Sequence, residues 1–89
     1  MKATIIISVY KNVEALNLIL ESLRLQTCQD FDIIVSEDGE DVDMQKFVVS
    51  YDWFCPYQHL TQPDEGWRKN RALNRAVVAA KNEWLIFID

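Results

Sequence analysis

Apolar and polar positions along the chain switch between two spacings, and the switches mark its elements. Ala3 to Tyr10 is a short apolar run rich in isoleucine, the pattern of a strand buried on both faces of a parallel sheet. Asn12 stands where a helix cap belongs, and Val13, Leu16, Leu20 and Leu23, with Ile19 beside them, recur at helical spacing as far as Gln26. That stripe predicts an amphipathic helix lying on the sheet. Thr27 to Asp30 breaks it. Phe31 to Ser36 is a second apolar strand that runs into the polar stretch Glu37, Asp38, Gly39, Glu40, where glycine lets the chain turn. From Asp41 to Tyr51 the pattern predicts a weaker helix, capped by Asp41, with Val42, Phe47, Val48 and Tyr51 on its inner side. Tyr57 to Thr61, between Pro56 and Pro63, reads as a third strand. Asp64, Glu65 and Gly66 open a loop, and the clearest helix then spans Trp67 to Lys81. Ala72, Leu73, Ala76, Val77 and Ala80 face inward from it, while Arg68, Lys69, Arg71, Arg75 and Lys81 face outward or toward a ligand. Glu83 to Ile88 is a fourth strand, followed by Asp89.

The order β-α-β-α-β-α-β implies a parallel four-stranded sheet with right-handed crossovers and helices on both faces, an α/β half of a doubly wound fold. A chain of 89 residues is one domain at most, since folding at this size removes only about 60–65% of the unfolded surface from water. With 49% apolar and 26% charged residues, a packed core is expected. The net charge of -5 argues against charge-driven nucleic-acid binding, so any anionic ligand must be held locally. Cys28 and Cys55 lack a C-x-x-C spacing, and both are expected to be reduced and structural. The apolar run at the N-terminus is far shorter than the roughly 20 residues of a spanning helix. A cytoplasmic location follows only by default.

In open α/β sheets, ligands bind outside the carboxyl ends of the strands, near the point where strand order reverses. That rule selects Ser8 to Tyr10, Glu37 to Glu40, the Pro63 to Arg68 loop and Asp89. Neither G-x-G-x-x-G nor G-x-x-x-x-G-K-[ST] is present, so the dinucleotide fingerprint and the phosphate-cradling loop are excluded. Read without reference to any family, Asp38 is either a turn residue before glycine or a ligand-binding carboxylate, Arg68 is a surface group at a helix start whose place Lys69 or Arg71 could take, and Asp89 is a lone carboxylate. His59, with no cysteine or carboxylate pattern near it, is expected to be structural. Asn70 and Asn74, one turn apart on a helix, carry no assigned role. Trp53, Trp67 and Trp84 read as core or loop anchors, with Trp67 set apart by its place beside Arg68.

SVY at Ser8 to Tyr10, QTCQDF at Gln26 to Phe31, EDG at Glu37 to Gly39, and EGWRKNRALNRAVVAAKNEWLIFID at Glu65 to Asp89 stand in the order, and on the strand ends, where the family-2 glycosyltransferases carry their motifs. The chain resembles that family over its whole length. Two departures are E-D-G-E in place of D-D-G-S, and Lys11 in place of the asparagine after the strand-one tyrosine. The resemblance implies the Rossmann-like half of a GT-A fold, with residues 1–89 forming the nucleotide-sugar-binding N-terminal part of a glycosyltransferase domain and ending at the first aspartate of its D-x-D motif. It implies that Ser8, Val9 and Tyr10 border the base and ribose, and that Asp38 accepts a hydrogen bond from a uracil-type imide, which favours uridine. It further implies that Arg68 contacts base or pyrophosphate. Asp89 would begin a motif holding Mg²⁺ or Mn²⁺, which neutralises the departing nucleoside diphosphate.

By the same resemblance the whole enzyme transfers a sugar, with inversion, from a UDP-sugar donor to a glycan or lipid-linked acceptor in the synthesis of a surface polysaccharide, peripheral to the inner face of the membrane. The catalytic base would lie beyond residue 89, so no catalytic residue is expected in this chain, which would bind the donor nucleotide without transferring sugar. The alternatives are a non-catalytic α/β binding module and a nucleotidyl-transfer enzyme on a similar sheet. Self-association through the exposed edge of the fourth strand is also expected.

Overall fold

The computed structural model describes residues 3–26, 30–61, 76–77, 79–80, 82 and 84–88. Strand β1 (Ala3–Val9) leads to helix α1 (Val13–Arg24), strand β2 (Phe31–Glu37), helix α2 (Val42–Ser50), strand β3 (Tyr57–Leu60) and strand β4 (Trp84–Ile88). The four strands form one parallel sheet in the order β3-β2-β1-β4. The chain therefore steps outward from β1 through β2 to β3, then crosses back to the other side of β1. Strand order reverses between β1 and β4, and the carboxyl ends of those two strands border the switch point. The α/β Rossmann-like architecture expected from the pattern is the one found.

Alternation along the strands sorts the core into two layers. Ile5, Ile7 and Val9 of β1 join Phe31, Ile33 and Val35 of β2 on one face, where Leu16 and Leu20 of α1 and Met44 and Val48 of α2 pack on them. Ile6 and Ile34 point to the other face and pack against Ala76, with Leu60, Ala79, Ala80 and Leu85 around them. Ile6, Ile7, Ile33, Ile34 and Val35 are wholly buried, which is why β1 and β2 read as unbroken apolar runs. Residues 76, 77 and 79 are helical, and the Ala80 N–H closes that turn on the Ala76 carbonyl at 3.0 Å. The remainder of the helix expected over Trp67 to Lys81 lies outside the described residues.

Both expected caps are present. Asn12 accepts from the Ala15 N–H at 3.0 Å and Asp41 accepts from the Met44 N–H at 3.0 Å, each satisfying a donor the helix leaves unpaired. The inner face of α2 differs from the expectation at one end. Met44 is buried and Val42 is 61% exposed. At 100° per residue, Met44, Phe47, Val48 and Tyr51 fall on one side of the helix and Val42 on the other. β3 and β4 are the two outer strands of the described sheet, and β4, on the edge expected to mediate self-association, leaves Trp84, Ile86 and Phe87 exposed.

Candidate functional site

The carboxyl end of β2 carries polar groups that its packing would not select. Glu37 and Asp38 are 2% and 1% exposed, and Gly39 is buried beside them, whereas Glu40 is exposed. Burial of this kind is tolerated only when the polar atoms have partners. Glu37 is the last residue of β2 and lies on the α1/α2 face, two positions beyond Val35. One of its carboxylate oxygens, Oε2, accepts from the Asp41 N–H at 2.8 Å, and the other, Oε1, lies 2.8 Å from Nε2 of His59. His59 reaches it because β3 pairs with β2 in the register Val35↔His59, which makes Glu37 its diagonal neighbour on the same face.

Asp38 belongs to the other side of the turn. Its N–H donates to the Val9 carbonyl at 3.0 Å, extending the β1–β2 ladder one bond past the strand end. The Asp38 backbone is thereby held beside β1, next to the switch point. Gly39, at φ 143, makes the turn that follows, a conformation that glycine adopts without steric cost. Asp41 then starts α2. Two adjacent carboxylates thus have divergent tasks, with Glu37 tied toward β3 and the Asp38 backbone tied toward β1.

The other sequence-selected residues of the described chain sit at the end of β1. Ser8 is opposite Ser36 in register and half-buried. The Val9 side chain is part of the core under α1 and α2, so any contact it makes with a ligand comes through its backbone. Tyr10 is 38% exposed, and the Lys11 ammonium lies 5.3 Å from the centre of its ring. Lys11 has φ 53, in the left-handed region that asparagine and glycine enter most readily. Lysine therefore stands where the resemblance led us to expect asparagine, at a position whose backbone gives asparagine a physical advantage. Arg68 and Asp89 lie outside the described residues.

A cleft of about 260 Å³ opens beside these groups, lined by Glu37, Glu40, Asp41, Gln45, His59 and Thr61. It is acidic and sits on the β2–β3 side. The expectation that His59 is structural missed its pairing with Glu37, because nothing in a single sequence sets the register of β3 against β2. Among the described residues, no group of three or more His, Cys, Asp or Glu side chains could hold a metal ion. The one residue expected to ligate Mg²⁺ or Mn²⁺, Asp89, is not among those described.

The amino end of the sheet is built differently. Thr4, wholly buried, donates from Oγ1 to Asp32 Oδ1 at 2.7 Å. Asn82 Nδ2 donates to the same Asp32 oxygen at 2.9 Å, and lies 3.2 Å from Thr4 Oγ1 and 3.4 Å from the Ala3 carbonyl. Nearby, the Arg24 guanidinium lies 5.2 Å from the centre of the Tyr51 ring and 4.9 Å from that of Phe54, and it donates to the Asp52 carbonyl. Trp53 stacks on Tyr57 at 4.0 Å and donates to the Val48 carbonyl at 2.9 Å, the anchoring role expected of it. Cys55 is unpaired, and burial, with a smaller contribution from the Asp32 charge, pushes its thiol up to about 11. Cys28 lies outside the described residues. Among the described residues, no helix is long and apolar enough to cross a membrane.

Comparison with known proteins adds one match. The model of a family described as "Glycosyl transferase family 2" covers residues 4–89. No curated protein matches the chain.

Proposed function

The chain belongs to glycosyl transferase family 2, and from that premise we propose that it binds the nucleotide of a nucleotide-diphosphate sugar, a uridine nucleotide foremost, at the carboxyl ends of β1 and β2. The observation that carries this reading is the placement of Asp38, 1% exposed and held by its backbone to Val9 beside the switch point. A carboxylate can only accept hydrogen bonds. It selects a base edge that offers a donor, as the imide N–H of uracil does, over one that offers only an acceptor there. Tyr10 and Ser8 border the ribose and base, and Arg68 supplies positive charge toward the diphosphate in a chain whose net charge is -5.

In the complete reaction an acceptor hydroxyl, on a glycan or lipid-linked acceptor, attacks the anomeric carbon in line with the departing nucleoside diphosphate and inverts that centre. The family often uses a divalent cation, which when bound neutralises the leaving diphosphate. The part proposed for the described residues is recognition of the donor nucleotide.

Calorimetric titration with UDP and CDP tests this. UDP is expected to bind in preference to CDP, whose base offers an acceptor in place of the imide N–H, and Asp38→Ala to weaken UDP about tenfold or more, about 1.4 kcal/mol. A folded chain that binds no nucleotide overturns the reading in favour of a non-catalytic α/β module, and an Asp38→Ala variant with unchanged UDP affinity overturns the role of Asp38.

A further inference from the structure

Asp38 can select a base only if its turn is held in one conformation. The turn has a glycine at its second position, so something outside it must fix its shape. Glu37 closes the turn from within the chain, since its Oε2 accepts from the N–H of Asp41, four residues on. Its Oε1 is held in turn by His59 on β3. Because a carboxylate oxygen only accepts, the proton in this contact sits on His59 Nε2. The Glu37 side chain is 1% exposed and that of His59 is 13% exposed, so little water is available to replace either partner.

We propose that His59 and Glu37 are positioning residues for Asp38, so that β3, through His59, sets the base selectivity of the nucleotide site. This rests on the donor-site reading above. The chain of contacts runs His59 to Glu37, Glu37 to the Asp41 N–H, and Asp41 through its cap to α2. Asp38 and Gly39 are spanned between the two clamped ends. With His59 unable to donate, Glu37 keeps one oxygen for Asp41 but becomes free to rotate. The turn then opens toward the cleft that Glu37, Asp41 and His59 already line. Asp38 keeps its place in sequence and loses its aim.

The test is titration of the wild-type chain, His59→Leu and His59→Gln with UDP and with CDP, alongside thermal melts. His59→Leu is expected to weaken UDP about tenfold and to erase most of the preference for UDP over CDP. His59→Gln, whose amide can donate to Glu37, should bring both back to within about threefold of wild type. Help from His59 with folding alone would lower the melting temperature and leave the UDP:CDP ratio unchanged. A folded His59→Leu chain with wild-type affinity and preference overturns the proposal.

Should His59→Leu fail to fold, the wild-type chain supplies the measurement, since His59 is its only histidine. UDP should then shift both the His59 ring signals and the Asp41 amide in nuclear magnetic resonance spectra. Ring signals that stay fixed while UDP binds overturn the positioning role alone, whereas a wild-type chain that does not bind UDP overturns the donor-site reading and this inference with it.

Discussion

The two ends of the same sheet each surround an aspartate with partners, half-buried Asp32 at one and buried Asp38 at the other, and they do so to opposite effect. At the amino end, Asp32 receives Thr4 and Asn82 on one oxygen and ties β1 to β2 and to the segment entering β4. The rings of Phe31 and Phe54 meet edge to face nearby, and Trp53 and Tyr57 stack face to face. At the carboxyl end, the backbone of Asp38 is fastened to Val9 while its neighbour Glu37 is fastened to Asp41 and His59. The first cluster closes on itself. The second stands beside an open cleft. A partnered acid is therefore no sign of function by itself, and what separates the two ends is whether the network leaves room beside it for a ligand, at the strand ends where α/β sheets bind them.

Breaking the closed end should have the largest effect, and on stability alone. Asp32→Ala leaves the wholly buried Thr4 hydroxyl and the Asn82 amide without their shared acceptor. A loss of about 2–3 kcal/mol in urea unfolding is expected, the usual penalty for orphaning buried donors. UDP affinity at temperatures where the variant stays folded should match wild type. A weakened UDP affinity in the folded variant would mean that the two ends are coupled through β2, and the contrast drawn between them would fail.

A smaller effect of the opposite sign is expected at the open end. Lys11 holds φ 53 without the short side chain that eases a left-handed residue. Lys11→Asn should stabilise the chain by about 0.5–1 kcal/mol, and Lys11→Gly by a similar or smaller amount because glycine also loosens the unfolded chain. Unfolding midpoints in urea measure both. A destabilised Lys11→Asn would mean that the lysine side chain, through its approach to Tyr10, contributes more than its backbone strain costs.

How far each region could be read from the sequence follows from the range of the forces that set it. The strands, α1 and both caps are local matters, written in apolar spacing and in Asn12 and Asp41, and the structure agrees with them to within a residue or two at each boundary. The inner side of α2 is only partly legible, since the spacing selects Val42 where the structure buries Met44, because a nine-residue helix with one apolar residue at its start gives a poor phase. The E-D-G stretch is legible in the sequence and draws attention to Asp38, which the structure buries at the end of β2. The pairing of Glu37 with His59 is not legible there, since it depends on a strand register formed across 22 positions of chain. The same is true of Asp32 with Asn82, separated by 50.

The effect that is smallest near neutral pH, and the one that isolates the amino end most cleanly, concerns Cys55. Its thiol is pushed from an ordinary value of 9.0 up to about 11, first by burial and then by the Asp32 charge. Between those values the folded chain holds a proton that the unfolded chain has released, so the contribution of Cys55 to stability is complete below pH 9.0 and fades as pH rises through about 11. Cys55→Ala should therefore lose less stability than wild type between pH 8.5 and 10.5 in urea melts. The thiol should also be slow to react, because the thiolate is the nucleophile. In a Cys28→Ser background at pH 9, iodoacetamide should modify the folded chain roughly tenfold or more slowly than the urea-unfolded chain. Adding Asp32→Asn should recover part of that difference by removing the nearby charge while keeping an acceptor for Thr4. Equal rates in the folded and unfolded chains would mean that the amino end is open to water, and that the contrast between a closed and an open end of the sheet is one of sequence rather than of solvent.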